Sequence, residues 1–195
     1  MGYQILSLGL MAAFYACYFS KMISQSRRGI DTDQLGKGKE GFRKYIEVAL
    51  KVTTFILPIL QIISILYCSE NLCGWQRCTG VVIEFFGVVI FIISVMEMKD
   101  NWRAGVQKEN KTELVTEGVY SISRNPAFLG FDLMYVGILV AFFNWYLLFA
   151  TTLAVCLFHL QIVCVEEEFL VETFGQEYCK YKRKVCRYLG RKFWI

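Results

Sequence analysis

Nothing in these 195 residues carries the usual marks of a soluble nucleotide- or metal-binding domain. There is no strand–GxGxxG–helix unit, which excludes a Rossmann-type dinucleotide fold. Gly36-Lys37-Gly38 has no strand before it and no Walker lysine–serine pair after it, so it is not a phosphate loop. The eight cysteines form no CxxC and no paired Cys/His ligand pattern, so no metal site is expected. Strand-like alternation is missing as well, which argues against a membrane barrel. Charge is scarce, at 19% of residues.

What is present is apolar. The chain is 55% hydrophobic and 16% aromatic, with a mean hydropathy of +0.41, too greasy for a soluble domain of this size. A helix needs about 20 apolar residues to cross a hydrocarbon core, and five stretches qualify or nearly do: about 3–23, 45–68, 78–98, 127–143 and 145–165. In lipid every backbone amide must find an internal partner, so these spans are helices. The expectation is an all-α integral membrane protein of about five helices. Residues 1–195 form a single domain in which helices four and five make a tight hairpin at Asn144 and a cytosolic helical tail follows from residue 166.

The basic residues set an expected topology. They gather around 24–44 (Lys21, Arg27, Arg28, Lys37, Lys39, Arg43, Lys44, Lys51), in 99–124 (Lys99, Arg103, Lys108, Lys111, Arg124) and from Lys180 to Lys192. The other side holds only Arg77. The positive-inside rule then places the N-terminus outside and both long loops and the C-terminal tail in the cytosol. Because the positive charges follow the first apolar stretch, it reads as an uncleaved span rather than a signal peptide. The net charge of +4 reads as topology and anionic-lipid contact, not nucleic-acid binding. Cys68, Cys73 and Cys78 fall near the outer face, within reach of pairing. Trp102 reads as an interfacial anchor, and Tyr178 to Lys184 as a basic amphipathic helix along the inner surface. Nothing in the sequence sets an oligomeric state.

Two polar passages stand out. One is Leu114-Val115-Thr116-Glu117-Gly118-Val119-Tyr120, closely followed by Arg124-Asn125-Pro126. The other is Glu166-Glu167-Glu168-Phe169-Leu170, continuing to Phe174-Gly175-Gln176-Glu177-Tyr178 and Tyr181. Three acids where helix five leaves the membrane predict that this helix continues into the cytosol, since a helix C-terminus disfavours negative charge. They also predict that at least one acid meets the 114–126 loop around a polar pocket beside lipid.

In this order the passages resemble the integral membrane methyltransferases related to isoprenylcysteine carboxyl methyltransferase and the phospholipid methyltransferases. That pattern runs LV-x-x-G-x-Y, Arg-His-Pro, Glu-Glu-x-x-Leu and Phe-Gly-x-x-Tyr-x-x-Tyr, over roughly residues 101–187. The resemblance implies an S-adenosylmethionine site built from a cytosolic loop, 99–126, and the tail, 166–195. By that carry-over Leu114, Val115, Gly118 and Tyr120 hold the adenosine end, Arg124, Asn125 and Pro126 flank the cofactor, and Glu166 or Glu167 meets its ribose or ammonium group. The acceptor is then a lipophilic, membrane-borne molecule: a prenyl or acyl carboxylate, a lipid amine or another amphiphile. Two positions depart from the pattern. Asn125 replaces the histidine, and Ile162 stands where isoprenylcysteine-type members often carry an arginine suited to a substrate carboxylate. The alternatives are an NADPH-dependent reductase of the sterol-reductase type and a non-enzymatic membrane scaffold.

Ionisable groups within spans are costly and often functional. Asp132 and His159 are expected at similar depth, roughly 9 Å inside the inner boundary. His159 also falls on the helical face of Val163 and Glu166 if the helix is regular. Asp132 and His159 are therefore expected either to line the acceptor pocket as catalytic residues, one of them removing a proton, or to form a hydrogen-bonded pair that locks helix four to helix five; Arg124 joins the candidate catalytic residues through the resemblance. Glu84 lies nearer the outer face, where a packing or oligomer role is expected rather than catalysis.

Overall fold

The computed structural model describes residues 1–30, 32–36, 39–67, 73–103, 105 and 113–192. Six α-helices account for most of them: α1 Gly2–Ser26, α2 Gly41–Tyr67, α3 Gly74–Met98, α4 Pro126–Ala141, α5 Trp145–Gln161 and α6 Glu167–Lys184. Four continuous helices, Gly2–Ser26, Gly41–Tyr67, Gly74–Asn101 and Trp145–Lys184, are long and apolar enough to cross a membrane, and Pro126–Ala141 is a shorter apolar helix. The expected all-α membrane architecture is therefore observed, with α3 beginning a turn earlier than its apolar run. The helix leaving the membrane does continue through the three glutamates.

The closest packing joins α3 to α4. Gly80 and Gly87 on one helix face Gly137 and Gly130 on the other. A Cβ on Gly137 would lie 2.7 Å from the Gly80 carbonyl oxygen and 2.7 Å from Glu84 Cα; one on Gly130 would lie 2.9 Å from the Gly87 carbonyl. The backbones touch because no side chain separates them, the usual device where lipid supplies no hydrophobic drive between helices. Glu84 is buried at this seam, where its Oε2 accepts a hydrogen bond from Ser7 Oγ of α1 at 2.6 Å.

Helix α4 starts at Pro126, whose missing N–H costs nothing in a first turn. The α4–α5 hairpin turns where expected, at Asn144: its Oδ1 accepts from Leu147 N at 2.8 Å, and its Nδ2 donates to Ser64 Oγ of α2 at 2.7 Å. Phe14, Phe91, Phe131 and Phe158 pack at the centre, with ring centroids 4.1 Å apart for Phe14–Phe91 and 5.3 Å for Phe131–Phe158.

Between α5 and α6 lies a π-helical turn, Ile162–Glu166. It overturns the expectation that His159 and Glu166 share a face. Seven residues of regular α-helix bring two side chains nearly into line, but a π turn inserts one extra residue and rotates the helix beyond it by about 100°. Further along, Gly175 adopts φ 51°, ψ −121° and kinks α6. Few side chains tolerate that backbone. Beyond α6 the chain doubles back, Cys186 N donating to Gly190 O at 2.8 Å and Gly190 N to Ile122 O at 2.7 Å.

Cys73 and Cys78 carry free thiols. Cys68, like Lys37, Lys108 and Lys111, lies outside the described residues.

Candidate functional site

A cavity of about 360 Å³ runs from the membrane interior to the polar end of the bundle. Its apolar end is walled by Tyr15, Tyr18, Phe131, Tyr135 and Phe158. Its polar end holds Leu114, Val115, Tyr120, Arg124, Asn125, Glu166, Phe169, Tyr178 and Tyr181. The two polar passages, some 50 residues apart in sequence, therefore meet as expected. Gly118, Pro126 and Glu167 do not line the cavity.

The 118–125 turn is held by hydrogen bonds that sequence spacing did not reveal. Val119 N donates to Glu97 Oε2 at 2.6 Å from the last turn of α3. A Cβ on Gly118 would land on that same carboxylate, and Gly118 has φ 55°, which explains the glycine in terms of packing. Tyr181 Oη donates to Tyr120 O at 2.6 Å, and Asn125 Nδ2 to Arg187 O at 3.1 Å. The turn and the tail thus form one unit.

Its electrostatic centre is Glu167. Oε1 pairs with Arg124 Nη1 at 2.9 Å and accepts from Arg187 Nε at 2.8 Å, while Oε2 accepts from Lys182 Nζ at 2.7 Å. The Arg124 and Glu167 side chains are only 4% and 6% exposed, so little solvent screens the pair. The hydrogen bond to Glu167 raises Arg187 above the ordinary arginine range. Arg124 Nη1 also donates to Tyr178 Oη at 2.9 Å. Tyr178 and Lys182 are thus tied to the turn through Arg124 and Glu167, while Lys180, Arg183 and Lys184 stay exposed on the other face of α6, the amphipathic pattern its sequence suggests.

Trp102 departs from expectation too. It is 4% exposed and packs edge-on to Tyr18 at 5.4 Å, on the cavity wall. Gln25 Nε2 donates to its carbonyl at 3.0 Å, and Thr32 Oγ1 donates to Gln25 Oε1 at 2.7 Å. These bonds draw the 32–36 segment over the cavity, where Asp33, Gln34 and Leu35 line it.

Sequence reasoning missed a second polar cluster. Glu47 of α2 is fully buried and accepts from Gly36 N at 2.6 Å, from Gln161 Nε2 at 2.9 Å and from Lys39 Nζ. The signal was available: an acid inside the apolar run Ile46–Leu50 must find partners or cost several kcal/mol.

Asp132 and His159 share a cleft, but not this cavity. They line a separate recess with Leu129, Val155, Cys156, Leu160 and Tyr188. On α4 the cavity takes Phe128, Phe131 and Tyr135, and the recess takes Leu129 and Asp132, so the α4–α5 hairpin is a wall between them.

Comparison with known proteins decides the family. A family model described as phospholipid methyltransferase matches residues 75–177, just over half of the chain. The chain belongs to the phospholipid methyltransferase family. Among curated relatives, a protein-S-isoprenylcysteine O-methyltransferase of Tribolium castaneum is 30% identical over 113 residues, covering 57% of this chain and 40% of that protein. The Saccharomyces cerevisiae protein of the same name is 29% identical over 150 residues, covering 77% of this chain and 62% of that one. The chain thus spans roughly two to three fifths of these relatives' length. A solved structure of a eukaryotic intramembrane Ras methyltransferase, isoprenylcysteine carboxyl methyltransferase, superimposes with a TM-score of 0.64 at 25% identity, covering 95% of this chain and 67% of that one. In this phospholipid methyltransferase family member, the matched region takes in α3, the 118–125 turn, the α4–α5 hairpin and the start of α6, which together build most of the polar end of the cavity.

Proposed function

We propose that this chain transfers a methyl group from S-adenosylmethionine to a lipophilic acceptor held in the membrane, at the cytosolic leaflet. One observation carries the reading: in a phospholipid methyltransferase family member, a single cavity joins an aromatic end at membrane depth to a polar end outside it. The basic residues support a cytosolic placement of the polar end, with the N-terminus on the far side.

The residues fit the donor. The cavity volume of about 360 Å³ falls within the range of small-molecule sites. Two buried polar atoms beside it lack protein partners, Gln161 Oε1 and Arg124 Nε. The first accepts from a hydroxyl or ammonium and the second donates to a carboxylate, which match the ribose and amino-acid parts of the donor. Glu166 offers a carboxylate on the same wall, and Leu114, Val115, Tyr120, Asn125 and Phe169 offer the flat, mostly apolar surface an adenine needs. When bound, S-adenosylmethionine supplies an electrophilic methyl group on a sulfonium. The protein's part is to align and to dry. Arg124, tied to Glu167, fixes the turn against the tail; Tyr18, Phe131, Tyr135 and Phe158 keep water from the acceptor end. Such positioning is worth on the order of 7–11 kcal/mol. No covalent nucleophile is required, and no step is assigned to Asp132 or His159, which lie beyond the hairpin wall.

The test is a thermal titration of detergent-solubilised protein. S-adenosylhomocysteine at 100 times its Kd is expected to stabilise the fold by about 2.7 kcal/mol, and NADP is expected to leave it unchanged. Selective stabilisation by NADP, or none by either, overturns the proposal. With Glu166→Gln the S-adenosylhomocysteine response is expected to weaken about tenfold.

A further inference from the structure

Three separate pieces of the chain end on Glu47. This residue sits in the first third of α2, is fully buried, and lies behind the cavity wall rather than on it. Its Oε2 accepts from Gly36 N at 2.6 Å; its Oε1 accepts from Gln161 Nε2 at the end of α5, at 2.9 Å, and from Lys39 Nζ. Two of these partners lead to the cavity. Asp33, Gln34 and Leu35, just before Gly36, line it, and so does Gln161 itself.

An ionised carboxylate has only acceptors, so Gln161 must turn its amino group, not its oxygen, towards Glu47. That amino group has two N–H bonds, and Glu47 takes one of them. The other serves Glu166, to which the Gln161 side chain also bonds. The π turn over Ile162–Glu166 makes this possible. It bonds residues five apart and so brings Gln161 and Glu166 to one wall of the cavity; in a regular α-helix they would point about 140° apart. The charges of Lys39 and Glu47 act on Glu166 as well, one attracting and one repelling it. For packing alone, a buried acid is no better than an apolar residue of its size. What Glu47 contributes is the arrangement of the groups around it.

We infer that Glu47 is a positioning residue for the donor end of the cavity: by fixing the Gln161 amide it sets the Glu166 carboxylate, and by holding Gly36 it keeps the 32–36 segment over the same space. The inference rests on the donor site proposed above. Donor contact at Glu166 and closure of the 32–36 segment are coupled through this one side chain. Gly36, Lys39 and Glu47 all lie outside residues 75–177, which the family model matches. With Glu47→Gln, position 47 donates as well as accepts, and the Gln161 amide is free to turn over.

A double-mutant cycle on S-adenosylhomocysteine affinity, measured by thermal titration of the full chain in detergent, tests this. Glu47→Gln is expected to raise Kd about fivefold. In a chain already carrying Glu166→Gln the same change is expected to add less than about twofold, since the carboxylate it sets is gone. Equal losses in both backgrounds, or no loss in either, overturn the inference alone. No response to S-adenosylhomocysteine in the unaltered chain overturns the proposed function and this inference with it. Hydrogen exchange at Gly36 decides the matter should Glu47→Gln not fold. With saturating S-adenosylhomocysteine its amide is expected to exchange about tenfold more slowly. Gln161→Met, which keeps the bond between Gly36 and Glu47, is expected to abolish that slowing. Slowing that survives Gln161→Met, or none in an unaltered chain that binds S-adenosylhomocysteine, overturns the inference.

Discussion

Two parts of this molecule are held together by opposite means. The α3–α4 seam has almost no chemistry: glycine faces glycine, and the helices meet backbone to backbone. The unit formed by the 118–125 turn and the tail has little apolar core beyond Tyr178, Tyr181 and Val185, and centres on a carboxylate that collects Arg124, Arg187 and Lys182. Lipid offers no hydrophobic drive, so shape and dispersion act within the spans. At the polar end a buried charge makes a firm joint only when every neighbour satisfies it. The first joint fails by added volume and the second by removed charge.

Substitutions can break each joint separately. The largest effect is expected from Gly137→Leu, which places a side chain where Gly80 O and Glu84 Cα lie within 2.7 Å of its first atom. Overpacking costs about 1–3 kcal/mol where neighbours can shift; here they are backbone, and loss of the monodisperse peak on size exclusion in detergent is expected. Next is Glu167→Gln. It leaves the buried Arg124 without a carboxylate, a change worth about 3–5 kcal/mol at such a pair. The expected result is proteolytic cleavage of the tail with helix content largely intact; if tail and spans unfold together, the two regions are not separable. The smallest effect belongs to Arg28→Ala. Its pair with Asp100 at 2.9 Å is more than half exposed, so thermal unfolding is expected to move by about 1 kcal/mol or less, and less still in high salt.

The membrane half was largely legible. Apolar length located the spans to within a few residues, Asn144 marked the hairpin turn, and three boundary glutamates signalled a helix running on past the membrane. The two polar passages were correctly brought together, and Arg124 met a glutamate. What went astray was direction. Extending the 3.6-residue period through residues 162–166 put Glu166 with His159; the π turn sends one to the cavity and the other to the recess. Composition made Trp102 a lipid anchor, while Gln25 and Tyr18 hold it inside. Glu47 went unnoticed because its partners, Gly36, Lys39 and Gln161, lie on both sides of it in sequence, one of them more than a hundred residues away.

Hydropathy and charge by themselves determined that the chain crosses a membrane as helices and which loops carry the polar chemistry, because those properties sum over local stretches. The tertiary structure alone decided which way each side chain points and therefore which acids share a cavity. That is set by the rotation of each helix against its neighbours, and a single inserted residue or a glycine contact far along the chain is enough to change it.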